Sequence, residues 1–226
     1  MKINKLFAGA VMLLASGIVF AQATKSSTVE DEYLQNMQDT IISELASADD
    51  LDSKQFALEF IEEALNSGRK TQQLQDSLVS LAGEGVTTES RVKGRLKNNY
   101  PQVRIKACEL LAQIPDEHSK NTLVTIATSD KEPSVSATAI RSLGEIGINE
   151  NDEVVNAVEF IERSYRARSP SSSLAFEVLV AYEKLAPTVQ DKNAMIQSIN
   201  EIASCTKYNK TVQAKAKELL KTLSDE

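Results

Sequence analysis

Tryptophan is absent from the chain, histidine occurs once and cysteine twice. Aromatic residues make up only 5% of the sequence, which argues against the broad aromatic platforms that stack on sugars. A single histidine, His118, leaves no second imidazole for a zinc site, and no serine stands in a nucleophile elbow. No glycine motif of the kind that cradles phosphate is present. Long alternating β-branched runs are missing too, so the pattern offers almost no strand signal. An excess of acid completes the exclusions. With 25 Lys and Arg against 32 Asp and Glu, nucleic acid and anionic lipid surfaces are poor principal partners.

What is present starts at the N-terminus. Lys2 and Lys5 precede an apolar stretch from Leu6 to Ala21, and Ala21-Gln22-Ala23 puts small residues at the two positions a signal peptidase reads. The stretch is shorter than the roughly 20 residues of a spanning helix, and no cysteine follows it to accept a lipid. The pattern predicts a signal peptide over 1–23, cleavage after Ala23, and a mature chain 24–226 that is soluble outside the cytoplasm without stable membrane insertion. The two-lysine start has a bacterial look, with the periplasm as first destination and secretion as second. Losing the two lysines leaves 23 basic residues against 32 acidic ones, about nine net negative charges. In an oxidising compartment Cys108 and Cys205 are weighed as a disulfide, but they fall about three repeats apart and are read as separate thiols, with an intermolecular bridge as the lesser alternative.

Self-similarity organises the rest. An apolar pattern with offsets of zero, four, eight and eleven occurs at Val103, Ala107, Leu111, Ile114; at Val135, Ala139, Leu143, Ile146; at Leu174, Val178, Tyr182, Leu185; and at Val212, Ala216, Leu220, Leu223. Those offsets lie on one helical stripe, and the starts are 32, 39 and 38 residues apart, enough for a helix pair. Shorter stripes between them supply the partner helices: Leu123, Ile126, Ala127; Val154, Val158, Ile161, Tyr165; and Met195, Ile199, Ile202, Ala203. Pro101, Pro133 and Pro170 precede three of the second helices, where a missing N–H costs nothing. Tyr33 to Ala46 and Lys54 to Leu65 make an earlier hairpin that Gly68 stops, with Ala57, Ile61 and Ala64 as a degraded stripe. Leu74 to Ala82 opens the second repeat, and residues 83–99 form an irregular insertion into it.

Tyr100-Pro101-Gln102-Val103-Arg104-Ile105-Lys106-Ala107, and Asp130-Lys131-Glu132-Pro133-Ser134-Val135 running on to Ala139, Leu143, Gly144, Ile146 and Gly147, resemble HEAT-like repeats. The resemblance is sharpest over 120–147, extends over 70–223, and is weak before Gly68. It implies an all-α fold, a right-handed superhelix of about five helix pairs whose stacked second helices line a concave face. It also implies an inter-repeat ladder between a turn aspartate and the arginine after the valine. Asp130 and Arg104 occupy those positions, whereas Ser136, Ala175 and Gln213 replace the arginine later, confining the ladder to one junction. Some HEAT-like families act as bilin lyases, which keeps an enzyme as a rival class, and a purely structural envelope protein as another. No catalytic pair is found to transfer, so the chain is read as no enzyme, with no cofactor and no metal.

Charge supplies the candidate contacts. Arg91, Lys93, Arg95, Lys97, Arg104 and Lys106 gather around the insertion, alternating there with Val92, Gly94 and Leu96. A loop held on a rigid scaffold often carries binding, and an acidic protein or anionic glycan would match it; a solvated, silent loop is the competing reading. Arg163, Arg166 and Arg168 sit at a helix end, where the dipole alone explains them. His118 is read as a helix-start residue and Asp49, Asp50 and Asp52 as caps, because the calcium-loop glycine and terminal glutamate are missing. On the concave face the sixth and tenth offsets of each second helix put Glu109 and Gln113, Arg141 and Glu145, Val180 and Lys184, and Glu218 and Thr222. The candidate set for binding another protein or peptide, with no nucleic acid, is therefore Arg91, Lys93, Arg95, Lys97, Arg104, Arg141, Glu145 and Lys184.

Overall fold

The computed structural model describes residues 28–224. The predicted signal segment 1–23 lies outside the described residues. Among the described residues ten α-helices follow one another: α1 (Val29–Ser47), α2 (Leu51–Asn66), α3 (Gln72–Ala82), α4 (Pro101–Leu111), α5 (Glu117–Ser129), α6 (Pro133–Ile146), α7 (Glu153–Arg168), α8 (Ser172–Leu185), α9 (Lys192–Ser204) and α10 (Lys210–Ser224). Two short strands, β1 (Arg91–Val92) and β2 (Arg95–Leu96), interrupt them between α3 and α4.

Local chemistry fixes the boundaries. Asp50, Thr71, Asp116, Ser171 and Asp191 accept a backbone N–H from the first turns of α2, α3, α5, α8 and α9, satisfying donors that have no intrahelical acceptor. Pro101 and Pro133 occupy the first positions of α4 and α6. Pro170 differs: it lies one residue ahead of the Ser171 cap, outside the helix. Gly147 ends α6 at φ 71, and Gly68 turns the chain after α2 at φ 87, both in the left-handed region open to glycine.

The helices pair as α1/α2, α3/α4, α5/α6, α7/α8 and α9/α10, and the pairs stack in sequence. First helices touch first helices in the order α1, α3, α5, α7, α9, while second helices form the row α2, α4, α6, α8, α10. That is the nearest-neighbour packing of a HEAT-like solenoid, and no central bundle axis exists. The four repeated stripes are the core: Val103, Ala107, Leu111, Val135, Ala139, Leu143, Leu174, Val178, Tyr182, Leu185 and Ala216 are fully enclosed, and Leu220 is the one member only partly covered. The helices of the middle repeats come unusually close. A Cβ on Gly144 of α6 would meet the Ala181 Cα of α8 at 2.8 Å, so only glycine allows that approach. Cys108 and Cys205 are both free thiols; Cys108 is fully buried, and desolvation holds its thiol far above the ordinary range.

Successive turns are also tied by carboxylates. Asp152, in the α6–α7 connection at φ 60, accepts from the backbone N–H groups of Gln190 and Asp191 in the α8–α9 connection at 2.9 and 2.8 Å. Those two donors hold its carboxyl below the ordinary aspartate value of 3.8.

Leu143→Ala is expected to cost about 2–5 kcal/mol in urea denaturation. Leu143→Asp adds a buried charge and is expected to melt the middle repeats, read as loss of helical ellipticity. Because the folded-state value of Asp152 is depressed, its contribution is present above pH 3.8 and lost as pH falls through the lower folded-state value. The stability difference between wild type and Asp152→Asn is therefore expected to be largest near neutrality and to vanish in strong acid, in paired denaturation series across pH.

Candidate functional site

The insertion at 83–99 is built, not loose. Gly83 and Gly85 reverse the chain after α3, and a Cβ on Gly85, at φ 74, would collide with the Asn98 carbonyl oxygen at 2.5 Å. From there the chain runs out and back as an antiparallel hairpin, Arg91 opposite Leu96 and Val92 opposite Arg95. Lys93 and Gly94 form its two-residue turn at φ 49 and 79, both positive as a type I′ turn requires. No strand is expected there from the sequence, because two-residue strands are too short to show alternation; Gly94 inside a basic and apolar alternation is the signal that marks the turn.

A buried polar cluster clamps the hairpin base to the solenoid. Asn98 donates to Glu84 Oε1 at 2.6 Å and to the Thr88 carbonyl at 2.8 Å, and accepts from the Ser90 N–H at 2.9 Å. Lys54 Nζ, on α2, donates to Glu84 Oε2 at 2.9 Å and to the Ala46 carbonyl at 3.1 Å. Arg104 of α4 reaches the Glu84 carbonyl at 3.1 Å and Asn99 Oδ1 at 3.0 Å, and it grips Asp130 through Nε at 2.6 Å and Nη2 at 3.2 Å. Arg104 is thus 1% exposed and its donors face inward. As a contact residue for a partner it is corrected: it is an interior strut. The ladder implied by the resemblance does exist at this junction. Where Gln213 replaces the arginine, its amide donates instead to the carbonyls of Cys205 and Tyr208 in its own turn, at 2.8 and 2.9 Å.

The expected concave charges are engaged with one another. Along the row of second helices, Lys106 meets Glu62 at 2.6 Å, Arg141 meets Glu109 at 2.8 Å and Glu177 at 3.8 Å, Lys184 meets Glu145 at 3.4 Å, and Lys215 meets Glu183 at 2.8 Å. Each pair bridges adjacent repeats, and Arg141, Glu145 and Lys184 remain partly exposed within these pairs. Partly exposed pairs of this kind contribute about 0.2–1 kcal/mol each. In the Arg163 to Arg168 group, Arg163 meets Glu159 at 3.1 Å, Arg166 bonds Glu162 and reaches Glu201 of α9, and the exposed Arg168 bonds the Ser164 carbonyl at 3.3 Å.

The hairpin is different. Arg91 pairs with Glu89 at 2.8 Å and Lys97 with Asp49 at 3.0 Å, both at the surface, while Lys93 and Arg95 have no ion-pair partner among the described residues. Val92 between them is 53% exposed. Four basic side chains and one apolar one therefore project from a fixed base. His118 lies in the first turn of α5, with Nε2 3.8 Å from Asp76, and Asp50 caps α2 as expected. No group of three or more His, Cys, Asp or Glu side chains that would hold a metal occurs among the described residues, and no helix among them is long and apolar enough to cross a membrane.

Stacked helix pairs bridged by side chains at each junction define an α-solenoid. Residues 88–170, spanning the hairpin to the α7–α8 turn, match the family of HEAT repeats. Repeats of this family commonly mediate contacts between proteins. No curated protein and no solved structure matches the chain significantly.

Truncating Arg104 to alanine leaves Asp130 buried without its counter-charge, and is expected to cost about 3–5 kcal/mol in denaturant titration. The Arg104→Ala, Asp130→Ala double variant is expected to lose much less than the sum of the two single changes, because no uncompensated charge remains.

Proposed function

We propose that this protein is a noncatalytic scaffold of the bacterial cell envelope, exported by its leader 1–23 and working in the periplasm, where the hairpin at Arg91 to Lys97 holds an acidic protein partner. One observation carries the reading: Lys93 and Arg95 stand unpaired at the tip of a rigidly based hairpin, while the charges of the second-helix row neutralise each other between repeats. Unpaired surface charge raises the association rate of an oppositely charged protein and fixes its orientation. Arg91 and Lys97 support the same reading, since solvent-exposed pairs such as theirs with Glu89 and Asp49 exchange partners at little cost. Val92 adds apolar contact at the centre of the basic cluster.

Two measurements test this. N-terminal sequencing of the protein from native cells is expected to begin at Thr24, and an uncleaved start would refute export by a removable leader. Affinity capture from the periplasmic fraction is expected to recover one stoichiometric acidic protein that is released by moderate salt and lost in the Lys93→Glu, Arg95→Glu variant, whose helical signal should equal that of wild type. Equal recovery by the variant would overturn the hairpin as the contact.

A further inference from the structure

The two ends of the solenoid are unlike. A terminal repeat needs a polar outer face, and α9 and α10 comply, with no large apolar side chain exposed among their described residues. The first pair does not. Tyr33, Leu34, Met37 and Ile41 of α1 are all about half exposed or more, and Leu34, Met37 and Ile41 follow the i, i+3, i+7 spacing of a single face. This face lies opposite the one that buries Ile42 and Ala46 on the neighbouring helices, so α1 is apolar on two sides. Phe56 and Phe60 of α2, one turn apart, continue the exposed surface. Between Ile41 and Phe60 runs a groove of about 680 Å³, with Ile42 and Ala64 among its lining residues.

Two charged side chains line this groove: Arg69, held by the buried Asp39, and Glu63. Lys54, the one basic residue of α1 and α2, is buried against Glu84, so the exposed charge of the two helices is acidic. Glu44, Glu59 and Glu63 are exposed and have no ion-pair partner among the described residues. We infer that the apolar groove between α1 and α2, with the unpaired Glu63 in its lining and Glu59 one turn away on α2, is a docking site for a basic amphipathic helix of a partner protein. An apolar stripe on the incoming helix would seat at spaced anchors over Met37, Ile41 and Phe60, and its lysines or arginines would meet Glu59 and Glu63. A second copy presenting the same face would set carboxylates against carboxylates. A second copy presenting α10 would bring lysines without exposed large apolar side chains. The site is separate from the hairpin and does not depend on it.

The test uses the full 226-residue chain and a fluorescent Leu/Lys peptide of roughly 18 residues patterned as an amphipathic helix, beside its Leu/Glu counterpart and a scrambled Leu/Lys peptide. Fluorescence anisotropy is expected to show saturable binding of the patterned basic peptide alone. The exposed-site variants Met37→Ser, Phe60→Ser and Glu59→Lys, Glu63→Lys are each expected to weaken it by about tenfold or more, while the hairpin reversal Lys93→Glu, Arg95→Glu leaves it unchanged. A photo-crosslinker at position 37 is expected to label the peptide. Equal binding of the scrambled peptide, insensitivity to Met37→Ser, Phe60→Ser, crosslinking of position 37 to the chain's own leader, or a dimer in sedimentation that this variant dissolves would each overturn the assignment.

Discussion

A helix pair of this chain cannot hide its own apolar stripe, and every other feature follows from that constraint. Leu143 has to be shielded by the pair before it and the pair after it, and so do Val103 and Val178 in their own repeats. Stacking is the only arrangement in which each stripe serves both as cover and as something covered. The requirement sets the period near a helix pair, places Gly144 where two second helices approach closely, and leaves the connections to be settled by polar groups.

Those polar groups act where the oily contact is weakest. The hydrogen-bonded chain from the Ala46 carbonyl through Lys54, Glu84, Arg104 and Asp130 to the Tyr165 hydroxyl crosses from the first repeat to the fourth. Buried charges confer stability only when each finds its partner, so this chain specifies register more than it adds cohesion. Beyond Tyr165 the work passes to Glu162, which bonds Tyr208 at 3.0 Å, and to Arg166, which reaches Glu201. Burial raises the Glu162 carboxyl above the ordinary value even with the Arg166 guanidinium beside it. At the surface the pairs from Glu62 and Lys106 to Glu183 and Lys215 repeat the same logic in solvent.

The architecture was legible because a stripe at four, eight and eleven is a statement about burial, and burial is what stacks the pairs. The helix pair before Gly68, with its thinner stripe, was legible for the same reason, whereas the Asp50 cap follows from its residue type between two helices and the Arg104 to Asp130 link from the resemblance to HEAT-like repeats. The contact residues were harder to find. Sequence offsets place Arg141, Glu145 and Lys184 on one face, but they cannot tell that Glu109, Glu177 and their fellows come from adjacent repeats to meet them. Spacing shows which way a charge points, not who faces it. Arg104 belongs to both expectations, as the ladder partner of Asp130 and as a contact residue, and the Glu84 carbonyl and Asn99 Oδ1, which take its remaining donors, decide for the first. The outer face of α1 went unread because its second apolar side blurs the one-sided pattern on which helical periodicity relies.

Strands of two residues have no stability of their own, so the arm between Ser90 and Asn98 inherits its shape entirely from the clamp at its root. Shape and identity are thereby uncoupled in this one element. Val92, Lys93 and Arg95 touch no core, and exchanging them would rewrite the arm's specificity while the scaffold beneath carried on unchanged, a natural place for related chains to diverge and for a graft to be attempted.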